Sequence, residues 1–198
     1  MTRPLRAAGV LALALAAACA TKEKEIESDR RYISTVYNDT IVESFGRTSR
    51  TITGMLIQKN GDTVRFRVHT KADALVSTVD LTLHAASRRG QRPVTQIVTM
   101  PTGTLPLMQN SVAFLEQYLR RARTVGGDSV SIPVMLVGAS PELEVLTLVK
   151  NGADSVMLLG PEMKPENGIH LAIDAQDRIA GGVMPLSGAR IARVDGSQ

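Results

Sequence analysis

The fold is decided by residues 62–83, which read DTVRFRVHTKADALVSTVDLTL. In the first half, Val64, Phe66 and Val68 alternate with polar residues, so one face of an extended chain is apolar and the other is polar. The second half repeats this alternation and places on one face Leu75, Ser77, Val79, Leu81 and Leu83. The stretch therefore predicts two half-buried antiparallel strands.

The same period of two recurs along the rest of the chain. It predicts further strands at 41–48, 51–58, 94–100, 130–137, 145–149, 156–159, 169–173, 178–184 and 190–194. Asn60-Gly61 and Asn151-Gly152 are typical of type I′ hairpin turns, in which both central residues need a positive φ. Pro133 interrupts one run, so we expect that strand at a sheet edge or a bulge.

One segment, residues 111–123, has the periodicity of a helix. Its apolar and small residues fall in one arc and are Val112, Phe114, Leu115, Tyr118, Leu119 and Ala122. The opposite side carries Glu116, Gln117, Arg120, Arg121 and Arg123, which we expect in solvent. Glu116 and Arg120 have the spacing of a favourable ion pair within a helix. The pattern predicts an amphipathic helix whose apolar side packs on the sheet.

These elements predict a mainly β fold. We expect one large curved antiparallel sheet, a half-barrel of about 10–11 strands, with the helix at about 111–123 packed on it. The chain has 198 residues and one cysteine, and 3% of its residues are aromatic. A single domain over residues 32–198 is long enough to be stable without a disulfide. Its core must be built mainly from aliphatic side chains.

The N-terminus indicates export. Residues 1–18 contain Arg3 and Arg6 followed by an apolar run that is too short to cross a bilayer, as in a signal peptide. Leu15-Ala16-Ala17-Ala18-Cys19 resembles the lipobox of bacterial lipoproteins, which predicts lipidation of Cys19. Two alternatives remain: cleavage at an A-x-A site by ordinary signal peptidase, or a cysteine that is only a small apolar residue.

Residues 19–31 follow as a lipidated cysteine and a charged tether, which reads CATKEKEIESDRR. Two or three acyl chains on Cys19 would hold the protein stably on a membrane. Residue 20 is Ala and not Asp, which in Gram-negative lipoproteins is typical of sorting to the outer membrane. We therefore expect a membrane-anchored lipoprotein on the outer membrane, facing the periplasm.

The charge does not indicate nucleic-acid binding. The chain has a formal net charge of +4, but Arg3 and Arg6 lie in the predicted signal peptide, which leaves 21 basic against 19 acidic residues. The basic residues do not form a stripe, and stacking aromatic side chains are scarce. One local cluster on a predicted loop, Arg88-Arg89-Gly90-Gln91-Arg92, could meet anionic lipid headgroups.

No catalytic or metal-binding motif stands out, so we expect no enzyme, no cofactor and no metal. His69, His84 and His170 have no ligand-like spacing. Gly138-Ala139-Ser140-Pro141 fails as a nucleophile elbow, because proline after the serine would remove a backbone N–H from an oxyanion hole. Asp174 and Asp177 are explained as turn residues and lack the further oxygen donors that Ca²⁺ requires.

Three stretches resemble known proteins: residues 39–48 with Gly54 shortly after, the predicted helix, and residues 174–179. In this order they resemble uncharacterised bacterial periplasmic β-domains, some free-standing and some fused ahead of α/β-hydrolase domains. Their general shape is similar to the outer-membrane lipoprotein carrier and related families of unknown function. The resemblance covers about residues 38–194 and implies a curved sheet with a helix on its concave face. It brings no functional residues.

Two functions compete, with a hydrolase or hydrolase accessory as a third. The first is binding of an acyl chain or another apolar molecule on the concave sheet, with Phe114, Leu115, Tyr118 and Leu119 as candidate groove lining. The second is a structural or protein-interaction lipoprotein with a filled core and an unknown protein partner. An open apolar groove between helix and sheet would favour the first.

Overall fold

The computed structural model describes residues 29–37, 39–86, 92–138, 141–176 and 178–194. The predicted signal peptide and Cys19 lie outside these ranges. The strands are β1 (Arg30–Val36), β2 (Asp39–Arg47), β3 (Thr51–Gln58), β4 (Thr63–Thr70), β5 (Val76–His84), β6 (Val94–Thr99), β7 (Leu105–Leu107), β8 (Ser129–Leu136), β9 (Glu142–Lys150), β10 (Ser155–Leu159), β11 (Ile169–Ile173), β12 (Ile179–Met184) and β13 (Ala189–Arg193). The helix α1 spans Val112–Val125, and a 3₁₀ turn spans Pro165–Asn167.

All the described strands belong to one open, curved sheet with the order β6-β5-β4-β3-β2-β1-β13-β12-β11-β10-β9-β8-β7. Neighbours pair antiparallel except β7 and β8, which are parallel. A parallel pair needs a long crossover connection, and α1 supplies it between β7 and β8. The mainly β prediction is confirmed, with thirteen strands instead of ten or eleven.

Two strands were missing from the prediction. β1 begins at Arg30, inside the segment expected to be a tether, and is held between β2 and β13. Its sequence, RRYISTV, starts with two charged residues and so lacks a clear apolar alternation. β7 has three residues, Leu105–Leu107, which is too few to show any period.

β5 departs from the predicted alternation at its start. The register between β4 and β5 shifts between His69 and Thr70, which marks a bulge or irregularity. As a result Val76 and Val79 are both buried, although a regular strand would place them on opposite faces. Ser77, predicted to share the face of Val79, instead donates a hydrogen bond from its hydroxyl to the carbonyl oxygen of His69 (3.2 Å).

The two Asn-Gly turns connect hairpins as predicted, but they are not type I′. Gly61 and Gly152 have φ of 86° and 99°, whereas neither Asn60 nor Asn151 is among the described residues with positive φ. The N–H of Gly61 donates to the carbonyl oxygen of Gln58 (2.9 Å). Each turn therefore needs one glycine in the left-handed region, and asparagine keeps its ordinary backbone conformation.

The helix lies on the concave face, because it contacts strands from both halves of the sheet. Phe114 packs against Phe66 of β4 with ring centroids 5.3 Å apart, and the Tyr118 hydroxyl donates to the carbonyl oxygen of Leu146 on β9 (2.6 Å). β4 and β9 are eight positions apart in the sheet, which would be about 38 Å in a flat sheet. A helix about 10 Å wide reaches both only because the sheet curves around it.

Because the sheet curves around α1, it buries more of the helix than the apolar side. Every residue from Ser111 to Leu119 is buried, including Glu116 and Gln117, each 1% exposed. The expectation that Glu116 and Gln117 face solvent is wrong, because the curved sheet covers more of the helix than its apolar arc.

Pro133 lies on β8 just before the residues that pair with β7. The N–H that proline lacks therefore breaks no pairing with β7.

Candidate functional site

Three polar helix positions meet polar groups of the N-terminal strands inside the core. The first contact is at the start of α1. Glu43 lies on the inner face of β2 between Ile41 and Phe45, and its carboxylate accepts hydrogen bonds from the hydroxyl of Ser111 (2.5 Å) and the N–H of Val112 (2.5 Å). Burial raises the pKa of Glu43 to about 7, although these hydrogen bonds act in the opposite direction. Glu43 therefore caps the helix from a strand.

The second contact is one turn further along. The Glu116 carboxylate accepts hydrogen bonds from the Arg30 guanidinium, from the hydroxyl of Tyr32 (2.7 Å) and from the N–H of Ile179 (3.2 Å). Burial and the neighbouring Glu116 raise the pKa of Tyr32 well above its usual value. Glu116 thus pairs with Arg30 on β1 and also bonds to Ile179 on β12. It therefore links the two strands that lie on either side of β13.

The third contact is made by Gln117. Its side-chain oxygen accepts from the Arg47 guanidinium (3.0 Å), and its side-chain nitrogen donates to the carbonyl oxygen of Ala74 (2.5 Å). Burial lowers the pKa of Arg47 to about 10, and the positive charge of Arg120 adds to the effect. The Nε and Nη2 atoms of Arg47 are buried and have no hydrogen-bond partner among the described residues.

These contacts position the helix on the sheet. The carboxylates of Glu43 and Glu116 and the amide of Gln117 are 1% exposed, and each is bonded to the protein itself. Buried polar groups cost free energy unless they are paired, so this polar layer selects one position of α1 on the sheet. We interpret it as structural.

A cavity of about 340 Å³ lies at the C-terminal end of α1, between the helix and β8–β11. We call it the chain cavity. Its apolar wall is formed by Leu119, Ala122, Val130, Leu148, Val156 and Ile173. Its charged residues are Arg123, Lys150, Asp154 and Asp174, and glycines and alanines complete the lining. The cavity is thus apolar against the sheet, carries both signs of charge and is partly open to solvent.

The four predicted groove residues are distributed unequally. Phe114, Leu115 and Tyr118 are buried in the core, where side chains of the sheet fill the space around them. Of the four predicted residues, Leu119 is the one that lines the chain cavity. A signal for its position was present: Ala122, Gly126, Gly127, Gly152 and Ala153 are small, and small side chains leave room.

The three histidines lie on three different strands, β4, β5 and β11. His69 contacts Asp80 across the strand pair, with Nε2 3.3 Å from the carboxylate oxygen, whereas His84 is exposed at the end of β5 and His170 lies opposite Val183. Within the described ranges, no three His, Cys, Asp or Glu side chains are arranged to hold a metal ion. Asp174 is a turn residue that accepts backbone N–H groups from Gln176 (3.0 Å) and Arg178 (2.9 Å).

Several predicted features lie outside the described residues. They are the signal peptide 1–18, Cys19, the tether up to residue 28, Arg88 to Gln91 of the basic loop, Ala139 and Ser140 of the Gly-Ala-Ser-Pro turn, and Asp177. Arg92, at the end of the basic loop, is exposed. In the described part of the chain, the helices are too short and too polar to cross a bilayer.

Of the comparisons with known proteins, only the one with solved structures gives a similarity, and it concerns the fold. No family model matches this chain. No curated protein matches it either. It is similar to the crystal structure of a DUF1089 family protein from Pseudomonas aeruginosa, with a TM-score of 0.56 and 14% sequence identity over 71% of this chain and 87% of that chain. At this identity the similarity shows a common β fold only. It agrees with the predicted resemblance to β-domains of unknown function, and lipidation stays a prediction.

Proposed function

We propose that this chain is an exported lipoprotein, anchored by acylated Cys19 to the outer membrane and facing the periplasm, that binds an acyl chain or a similar apolar molecule without catalysis. The anchor rests on the signal-peptide pattern of residues 1–18 and on the small residues before Cys19. The binding site rests on one observation, the chain cavity between α1 and β8–β11.

The chain cavity suits part of an apolar chain. Its volume of about 340 Å³ lies at the lower end of the range of about 300–1,000 Å³ that is usual for small-molecule sites. Such a volume fits one chain better than a lipid with two. The aliphatic wall of Leu148, Val156 and Ile173 would take the chain out of water.

Binding is a better proposal than catalysis because of where the polar groups are. Glu43, Glu116 and Gln117 are sealed inside the core by their own partners, so they are poor candidates for acid–base work on a ligand. The charged residues around the chain cavity carry both signs and include ion pairs within the protein, such as Lys150 with Asp128 (3.7 Å) and Arg193 with Asp174 (2.6 Å).

Mass spectrometry of the full chain purified from its native membrane tests both parts of the proposal. The intact mass should carry the two or three acyl chains of a lipoprotein on Cys19. Under native conditions, a further apolar molecule should remain bound in stoichiometric amount. An unmodified Cys19 would refute the anchor, and a protein without co-purified ligand would count against the binding site.

A cavity-filling variant locates the ligand. Ala153 is exposed at the mouth of the chain cavity, so Ala153→Trp should block it with little risk to folding, whereas Ala122→Trp fills it from the helix side. Ala180→Trp, at an exposed alanine of β12 away from the cavity, is the matched control. Both cavity variants should lose the co-purified molecule and the control should keep it. Retention in all three variants would refute this location.

A second candidate function, a protein-interaction lipoprotein, is favoured by the edge strand β6. Val94 and Ile97 are 65% and 69% exposed on this strand, which ends the sheet. An open strand edge is a template for pairing with another chain. A photo-crosslinking residue at Ile97 should then capture a partner in native membranes, whereas one at Val183, also exposed, should not. Equal labelling from both positions would argue against an interface at β6.

A further inference from the structure

A second cavity, of about 250 Å³, lies where the first strand β1 meets the last strand β13. We call it the arginine cavity. It is lined by Asp29, Arg30, Arg31, Asp174, Gln176, Arg178, Arg193 and Val194. Four of these eight residues are arginines and two are aspartates. The N–H of Val194 donates to the carbonyl oxygen of Arg31 (2.8 Å), which joins the ends of the two strands.

The two carboxylates of the arginine cavity are already engaged. Asp174 accepts hydrogen bonds from the Arg193 guanidinium (2.6 Å) and from the N–H groups of Gln176 (3.0 Å) and Arg178 (2.9 Å). Burial alone would raise the pKa of Asp174, but these hydrogen bonds outweigh it and hold the pKa below its usual value. Asp29 lies 3.6 Å from the Nε of Arg30, whose other end pairs with Glu116.

Within the described ranges, two of the four arginines are therefore not paired with a carboxylate. No ion pair joins the side chain of Arg31 or of Arg178 to another residue in the described part of the chain, and both line the arginine cavity. Guanidinium groups offer forked N–H donors that match the oxygens of phosphate. Several of them around one concave space, with an excess of positive charge, are suited to hold an oxyanion.

We propose that the arginine cavity binds a phosphate group, so that the ligand of this protein is an amphipathic molecule with an acidic phosphate head. This inference rests on the proposed function and deepens it by naming the chemical class of the ligand. Asp174 lines both cavities, with Ala175 on the chain cavity and Gln176 on the arginine cavity. The two cavities are therefore neighbours, and in this proposal the chain of the ligand occupies the first and its phosphate head the second.

The anchor makes a membrane source of this phosphate accessible. Asp29 comes ten positions after Cys19, and even a fully extended chain over ten positions spans at most about 36 Å. The arginine cavity, with Asp29 in its lining, is therefore never far from the membrane that holds an acylated Cys19. The bound phosphate group could belong to a lipid of that membrane or be free inorganic phosphate, and the experiment below separates these two sources.

Isothermal titration calorimetry of the full chain, purified in a nonionic detergent without phosphate, provides the test. The three probes are dodecanoylglycerol, its phosphate ester and inorganic phosphate. The phosphate ester should bind about tenfold more tightly than the neutral lipid, and the difference should shrink as salt is added. Inorganic phosphate alone should bind weakly.

The double variant Arg31→Ala/Arg178→Ala should reduce the affinity for the phosphate ester to that for the neutral lipid and leave the neutral lipid unaffected. Arg50→Ala/Arg190→Ala removes the same two charges from exposed positions outside the cavity and should change neither. If the double variant does not fold, the single variant Arg178→Gln should still remove part of the difference between the two lipids.

The outcomes distinguish this inference from the proposed function. Equal affinity for the neutral lipid and its phosphate ester, unchanged in the arginine variant, would overturn the phosphate site and leave chain binding standing. Arginine-dependent binding of inorganic phosphate, with no binding of the neutral lipid, would support the phosphate site and overturn the chain cavity as a ligand site. Failure of both phosphate-bearing probes to bind would overturn the inference.

Discussion

The carboxylate of Glu43 lies 2.5 Å from the hydroxyl of Ser111, which precedes the first residue of the helix. Ser111 occupies the N-cap position, but its side chain makes no capping hydrogen bond to the helix. Glu43 takes over that role by accepting the N–H of Val112 at 2.5 Å. A helix start buried in a core needs acceptors for its free N–H groups, and here they come from strand β2.

We predict that Glu43→Ala lowers the free energy of unfolding by about 1–3 kcal/mol, because buried helix N–H groups lose their acceptor. Urea denaturation followed by circular dichroism measures it. Glu142→Ala, an exposed glutamate on β9, is the control and should change stability by less than about 0.5 kcal/mol. A loss equal to that of the control would mean that the cap is unimportant for stability.

Glu43 also predicts a dependence of stability on pH. Its pKa rises from 4.5 to about 7 on folding, so the folded protein holds the proton more tightly than the unfolded chain. The resulting stabilisation is complete below about pH 4.5 and is lost as the pH rises to about 7. Over this range the free energy of unfolding should fall by at most about 3 kcal/mol. Urea denaturation at pH 5 and pH 8 measures the difference. Asp174, with its lowered pKa, loses its contribution only in acid, outside this window.

The variant Glu43→Gln separates Glu43 from other titrating groups. Glutamine cannot ionise, so the difference in stability between pH 5 and pH 8 should shrink relative to the unmodified chain. If both proteins show the same difference, another group is responsible for it.

The pair of Arg30 and Glu116 should behave as a coupled unit. The side chains of Arg30 and Glu116 are 13% and 2% exposed, so removing either charge leaves the other in a low-dielectric environment. Glu116→Leu or Arg30→Met alone should cost about 3–5 kcal/mol, and the double variant much less than the sum. A double-mutant cycle in urea measures the coupling. Additive losses would show that the two charges do not depend on each other.

Gly54 should tolerate no side chain. It lies between Phe45 and Phe66 across three neighbouring strands, and a Cβ there would sit 2.6 Å from the Cβ of Phe45 and also against the ring of Phe66. Gly54→Ala should lower stability by at least about 1–3 kcal/mol through overpacking. In Gly160→Ala the nearest atom is the flexible end of Met163 at 3.4 Å, so this control should be near neutral. Thermal denaturation compares the two, and equal melting temperatures would contradict the prediction.

The sequence predicted most of the sheet because the period of two is local information. Val64, Phe66 and Val68 alternate with polar residues, and the strand that contains them formed as expected. The helix was predicted for the same reason, since its apolar arc is visible within fourteen residues. Strands without that signal, β1 and β7, were missed.

The polar contacts of the helix could not be read from local patterns. Glu116 looked like a surface residue paired with Arg120, but its partners Arg30 and Tyr32 are more than 80 residues away in sequence. Burial of this residue depends on how far the sheet curves, which is a property of the whole fold. The same applies to the two cavities, whose linings combine residues from distant strands.

The pairing of β1 with β13 constrains the order in which the molecule can assemble. Tyr32 and Arg193 face each other although they are about 160 residues apart, and closing a loop of that length is entropically costly and slow. A chain that leaves the ribosome N-terminus first must carry β1 with one open edge until its last strand has been synthesised. During that interval the unpaired edge of β1 is a site at which the nascent protein can aggregate.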